Sequence, residues 1–195
     1  MKKHVLRVIT HWALMAHIYV SMAGFTLALL FGVTGLTLNH QDFGLSEPRI
    51  TKSEIGLDPE LVKSENQAAV EECVRQKLEL QSPPTDYHAD PDQIQITFAV
   101  PGGRTLVTID RANGNAEVEK ETRGFWGKLG DLHKGFDAGK VWYWTIDVAA
   151  MMLIVSSLTG MVTLIALRAR RRTGFALCAL SVLSVLAIYV MYVPK

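Results

Sequence analysis

The chain has 195 residues, 49% apolar and 20% charged, with a formal net charge of +1. That balance hides a segregation: residues 39–140 hold 18 of the 19 acidic residues but 12 of the 20 basic ones, for a net charge of −6. One evenly mixed globular core is excluded, and no basic surface is offered to nucleic acid; an acidic soluble domain stands between apolar segments with basic flanks.

Residues 1–12 carry Lys2, Lys3 and Arg7, with His4 and His11 at the membrane edge. The first apolar run, 13–38, has the roughly 20 residues a helix needs to cross a bilayer. It exceeds the roughly 7–15 apolar residues of a secretory signal and no Ala-x-Ala-like site follows it, so a retained anchor is expected. At 100° per residue, His17, Gly24, Ala28, Gly32 and Gly35 fall within an arc of about 80°. Small residues in such a stripe let helices approach closely in lipid, and they also leave room for a flat cofactor. The run closes on "GVTGLTLNH", and "SLTGMVTL" (157–164) repeats the Thr-Gly step. Thr34 and Thr159 are expected to hydrogen-bond across packed helices or back to their own carbonyls. His17 is a functional candidate because an ionisable ring on a packing face inside a membrane needs partners. His40, at the other end, lies 23 rises or about 34 Å from it, too far to share one metal centre.

Residues 39–140 read as a small α+β domain. "SENQAAVEECVRQKLEL" (64–80) has the spacing of an amphipathic helix, capped by Ser64 or Ser53 and ended by Pro83-Pro84. "DQIQITFAV", "RTLVTID" and "AEVEKE" predict three short strands, the last two joined by an Asn-Gly turn. No zinc spacing, phosphate loop or catalytic triad appears, and His88 is expected in a solvated loop. Cys73 reads as a small buried residue. Cys178 belongs to the third apolar run, so no disulfide framework is available. "DLHKGFDAG" returns the chain to the membrane with His133, which pairs naturally with His40. Two imidazoles at one membrane face suit an iron porphyrin or a copper ion.

The second run, 141–167, contains one charge, Asp147, after an aromatic belt of Trp142, Tyr143 and Trp144. Its carboxylate either reaches water at the interface or faces the first helix near Asn39-His40, accepting the remaining ring N–H of a ligating histidine. A basic loop, 168–173, precedes the third run, 174–193. Both basic clusters belong in the cytoplasm, which places the N-terminus inside and 39–140 and Lys195 outside.

The segments "HIYVSMAGFTLALLFGVTGLTLNH", "DLHKGFDAG" and "WYWTIDVAAMMLIVSSLTG", with their basic end, resemble the PepSY-associated transmembrane proteins over nearly the whole chain. The resemblance implies three transmembrane helices and a PepSY-like periplasmic domain between the first two, in a bacterial inner membrane. The wider group includes inner-membrane ferric-siderophore reductases with b-type haem between membrane histidines. For this chain it implies haem b, electron transfer towards a periplasmic ferric chelate, and His40, His133 and His17 as haem-binding residues, with Asp147 in support. Unlike those larger relatives, the chain has no histidine in its second or third run. Met161 and Cys178 lie at depths similar to that of His17, and a second subunit is the other source of a missing ligand.

No flavin or nicotinamide fingerprint is present, which leaves quinol as the donor by elimination. Two further readings stay open. One is a non-catalytic module whose domain binds a partner in a larger membrane complex or homo-oligomer. The other is a copper site on the same histidines.

Overall fold

The computed structural model describes residues 2–40, 44, 46–64 and 66–194. Lys195, and Glu65 within the expected helix, lie outside the described residues. The chain divides into two compact units, Leu30–Ile146 and Met1–Leu29 with Asp147–Lys195.

The first unit is built on five antiparallel strands: β1 (Arg49–Gly56), β2 (Asp86–Ala89), β3 (Gln93–Val100), β4 (Gly103–Asp110) and β5 (Asn115–Thr122), in the order β1-β5-β4-β3-β2. Alternation in β3 and β4 sets their faces. Ile94, Ile96, Phe98, Val107 and Ile109 point into the core while Gln95, Thr97, Leu106 and Thr108 point away. α2 (Pro59–Lys63) and α3 (Gln67–Lys77) supply Val62, Val70 and Val74 to the same core. Full burial of each such side chain stabilises the fold by about 1.5–3 kcal/mol.

Local chemistry corrects the expected boundaries. Asp58 caps α2, accepting from the Glu60 N–H, with Pro59 in the first turn where its missing donor costs nothing. Asn66, not Ser64 or Ser53, caps α3. Ser64 closes α2, and Ser53 lies in β1.

Four elements were not expected, the short helix α2 among them. β1 shows no alternation because nearly all of it is exposed, and β2 has only four residues. α4 (Gly124–Lys134) carries Gly127 and Gly130 inside the helix, each costing about 1 kcal/mol against alanine in propensity. Packing overrides that cost: a β-carbon on Gly130 would stand 2.9 Å from Leu38, so glycine is what lets α4 approach the C-terminal part of α1 (Lys2–Asn39). His88, expected in a loop, sits on β2 opposite Gln95, exposed, with Nε2 3.2 Å from an Asp90 carboxylate oxygen.

The second unit contains most of α1 and α5 (Gly139–Ala166) and all of α6 (Arg171–Tyr192). All three helices are long and apolar enough to cross a membrane. In α1 and α5 several hydroxyl side chains turn inward on their own backbone: Thr10 donates to Leu6 O, Ser157 to Leu153 O and Thr163 to Thr159 O. Polar groups are thereby satisfied without water. Gly24 faces Met152, and α6 buries no residue.

Candidate functional site

Each unit seats one histidine on a Thr-Gly step. In the sheet-bearing unit, α4 presents His133 to α1. A β-carbon on Gly35 would lie 3.2 Å from His133 Cε1, so the absence of one makes room for the ring. Phe31 meets the imidazole edge-on, with ring centroids 5.3 Å apart. Thr34 Oγ1 is 2.7 Å from His133 Nδ1 and also 2.7 Å from Leu30 O. A carbonyl carries no hydrogen, so the hydroxyl proton goes to Leu30 O and the oxygen accepts from His133 Nδ1–H. Thr34 is 2% exposed, so this geometry is sealed from water that would loosen it.

In the other unit, α1 presents His17 to α5. A β-carbon on Gly160 would lie 3.1 Å from His17 Cε1. Nδ1 lies 2.8 Å from Ser156 O, with the hydroxyls of Thr159 and Ser156 each 3.5 Å away. Ser156 O can only accept, so His17 Nδ1 donates. Thr159 donates to Val155 O at 2.6 Å, repeating the back-bond of Thr34. Ser156, Thr159 and Gly160 are spaced i, i+3, i+4 and therefore share one helix face.

The chemistry is the same twice. A neutral imidazole whose Nδ1 holds the proton carries a lone pair on Nε2. Histidines that ligate metals are held this way, with the other ring nitrogen donating to a carbonyl or another oxygen. The stripe on α1 is divided by use: Gly24 meets Met152, Gly35 meets His133, and Gly32 has nothing within 4 Å.

The remaining candidates lie elsewhere. His40 is exposed at the end of α1 and lines a cleft of about 210 Å³ with Thr37, Arg123, Trp126, Asp131 and Lys134. The contacts of His133 are instead with Phe31, Thr34 and Gly35, five to nine residues earlier on the helix. Asp147 is exposed and makes no hydrogen bond or ion pair among the described residues, and the ring N–H groups of His17 and His133 are taken by Ser156 and Thr34. Among the described residues no three His, Cys, Asp or Glu side chains converge as a metal site.

Sequence reasoning missed Phe31, Ser156 and the pairing of His17 with the second Thr-Gly step. The recurring Thr-Gly was the available signal. It also missed an ion pair behind His133 with one buried partner: Asp131, 4% exposed, accepts from both terminal nitrogens of the half-buried Arg123 at 2.8 and 3.2 Å and from Gly102 N–H at 2.9 Å.

A family model described as "Putative PepSY_TM-like" matches residues 7–194. No curated protein and no solved structure matches. With three long apolar helices and a five-stranded antiparallel sheet, the chain belongs to the PepSY_TM-like family of membrane proteins.

Proposed function

We propose that this protein binds b-type haem in the membrane and passes electrons to the outer face, towards a periplasmic metal substrate such as a ferric chelate. The observation that carries the reading is the repeated seat, in which His17 and His133 are each held through Nδ1 on a Thr-Gly step; in a neutral ring held this way Nε2 would be the lone pair. The two histidines would hold the haem iron, and bound haem would supply a one-electron couple. Thr34 and the Ser156 carbonyl hold the ring protons, and Gly35 and Gly160 give the rings room. Phe31 packs against the His133 ring in a T-shaped contact. His40, at the same end of α1 as His133, would help to hold the haem there. At His17 the second ligand would come from another copy of the chain or a membrane partner.

Haem is favoured over copper because a porphyrin fills four iron positions itself, whereas a copper ion needs several protein ligands. The basic clusters at 2–7 and 168–172 support a cytoplasmic N-terminus and a periplasmic sheet domain in the bacterial inner membrane. Quinol is the donor compatible with a chain that lacks a nucleotide fingerprint, and Asp147 has no part in this reading.

Protein purified from haem-replete cells should be red and show split visible bands on reduction. His133→Ala and His17→Ala should each remove one spectral component, and His88→Ala neither. Colourless protein from such cells would overturn the reading and favour a non-catalytic assembly module.

A further inference from the structure

Asp131 and His133 stand two residues apart on α4, about 200° around the helix, so they face opposite ways. His133 faces Thr34 and Gly35 of α1. Asp131 faces the sheet, where its carboxylate takes both terminal guanidinium nitrogens of Arg123 and the backbone N–H of Gly102. Gly102 is the second residue of the two-residue turn between β3 and β4, with φ +82°, a conformation glycine adopts without strain. A β-carbon there would lie 2.7 Å from Lys128, so the turn and α4 are in close contact. Arg123, at the N-cap of α4, also reaches Glu121 of β5 at 3.3 Å. On a third side, Trp142 Nε1 donates to Leu132 O at 2.7 Å.

We propose that Asp131 and Arg123 are positioning residues for His133: their ion pair, with the carboxylate buried and the guanidinium partly exposed, fixes the rotation of α4 against the β3–β4 turn, and so keeps the ring on Thr34. The lever is short. A rotation of about 20° moves a side-chain tip roughly 5–6 Å from the helix axis by about 2 Å, enough to break the Nδ1–H bond to Thr34. A carboxylate in a bidentate grip on a guanidinium resists that rotation better than a neutral contact, because its geometry is planar and its charge is buried. The sheet domain thereby acts on the imidazole through α4. The purpose of the device rests on His133 being a ligand, but its test reads the ring itself.

The full chain, ¹⁵N-labelled on histidine and reconstituted in lipid nanodiscs, gives the tautomer of each ring by NMR, with His133 assigned through His133→Gln. In the unaltered protein His133 should be mainly the Nδ1–H tautomer. Asp131→Asn and Arg123→Lys should each shift it towards the Nε2–H form, as Thr34→Val does, and Asp131→Ala should shift it further. The His17 signals should stay in place. Unchanged His133 signals in Asp131→Asn and Arg123→Lys would overturn the proposal even if Asp131→Ala does not fold. Movement of His17 along with His133 would overturn it too, since that reports general loss of structure. Colourless protein with the expected ring shifts would sink the haem reading and leave the positioning intact.

Discussion

The imidazole of His133 lies over Gly35, with Cε1 3.2 Å from where a β-carbon would stand. His17 repeats the relationship with Gly160 at 3.1 Å. Each glycine is followed by space that a ring fills and preceded by a threonine whose hydroxyl faces that ring's Nδ1. This answers why the same dipeptide recurs in two apolar helices.

Substitution along the α1 stripe should separate the glycines by use. Gly32→Ala meets nothing within 4 Å and gains helix propensity, so stability should rise by about 0.5–1 kcal/mol. Gly35→Ala gains the same propensity but pushes on His133, and overpacking costs about 1–3 kcal/mol. The net should be destabilising, and Gly35→Leu should expel the ring. Thermal unfolding in detergent together with the haem-to-protein ratio reads both effects. Equal behaviour of Gly32→Ala and Gly35→Ala would contradict the seat.

Thr34→Val keeps the shape of the side chain and removes the acceptor for His133 Nδ1–H. A buried donor left unsatisfied costs about 1–3 kcal/mol. The hydrogen bond also makes the ring a stronger electron donor, which favours ferric over ferrous iron. Its loss should therefore raise the reduction potential of the His133 component in a redox titration and leave that of His17 unchanged. A lowered potential would be incompatible with the tautomer assigned to His133.

The proposed topology fixes the compartments of the loops. Phosphatase fused after residue 100 should be active, and phosphatase fused after residue 171, beside the basic cluster, should be inactive. Activity at 171 would invert the third helix and take the sheet domain's periplasmic assignment with it.

Tyr87, packed against the sheet core, has its phenol pushed above the ordinary value of 10.0 by burial, with Glu71 adding to the shift and Arg111 opposing it. A group whose pKa is raised on folding holds its proton more tightly in the folded state. Its stabilisation is present below pH 10 and is lost as pH rises through the folded value. Denaturant unfolding of the protein between pH 9 and 11 should show this loss in the sheet domain, and Tyr87→Phe should flatten it. A Tyr87→Phe profile identical to the parent would assign the pH dependence to other groups.

Residues whose role lies in their own segment were legible in the sequence. The alternation of Ile94, Ile96 and Phe98 announces β3 because one face is buried and the other is not. Apolar length marks α1, α5 and α6 because lipid demands it. β1 was illegible because all of it but Ile55 is exposed, so its side chains carry no period. α4 was illegible because its glycines read as breakers, and only the approach to Leu38 and Arg123 explains them. The site divides the same way. His17 could be singled out as a ring inside an apolar run and His133 as a ring where the chain returns to the membrane, but their seats join residues 139 and 99 positions apart, and no local pattern encodes such a pairing. Asp131 looked like one more acid in an acidic domain until its burial was seen.

Among the described residues β1 is an edge strand, which has a consequence for handling the sheet domain on its own. One ladder, to β5, holds the strand, and its outer N–H and C=O groups face nothing in the sheet. Such an edge recruits strands from other molecules unless charge discourages them. Lys52 supplies that guard, bound to Glu117 at 3.0 Å and Glu119 at 3.2 Å in exposed, solvent-screened pairs that add little to stability. Their value is colloidal: replacing Lys52 and Glu54 with threonine or valine would leave the fold intact and turn β1 into a template for fibrous aggregation.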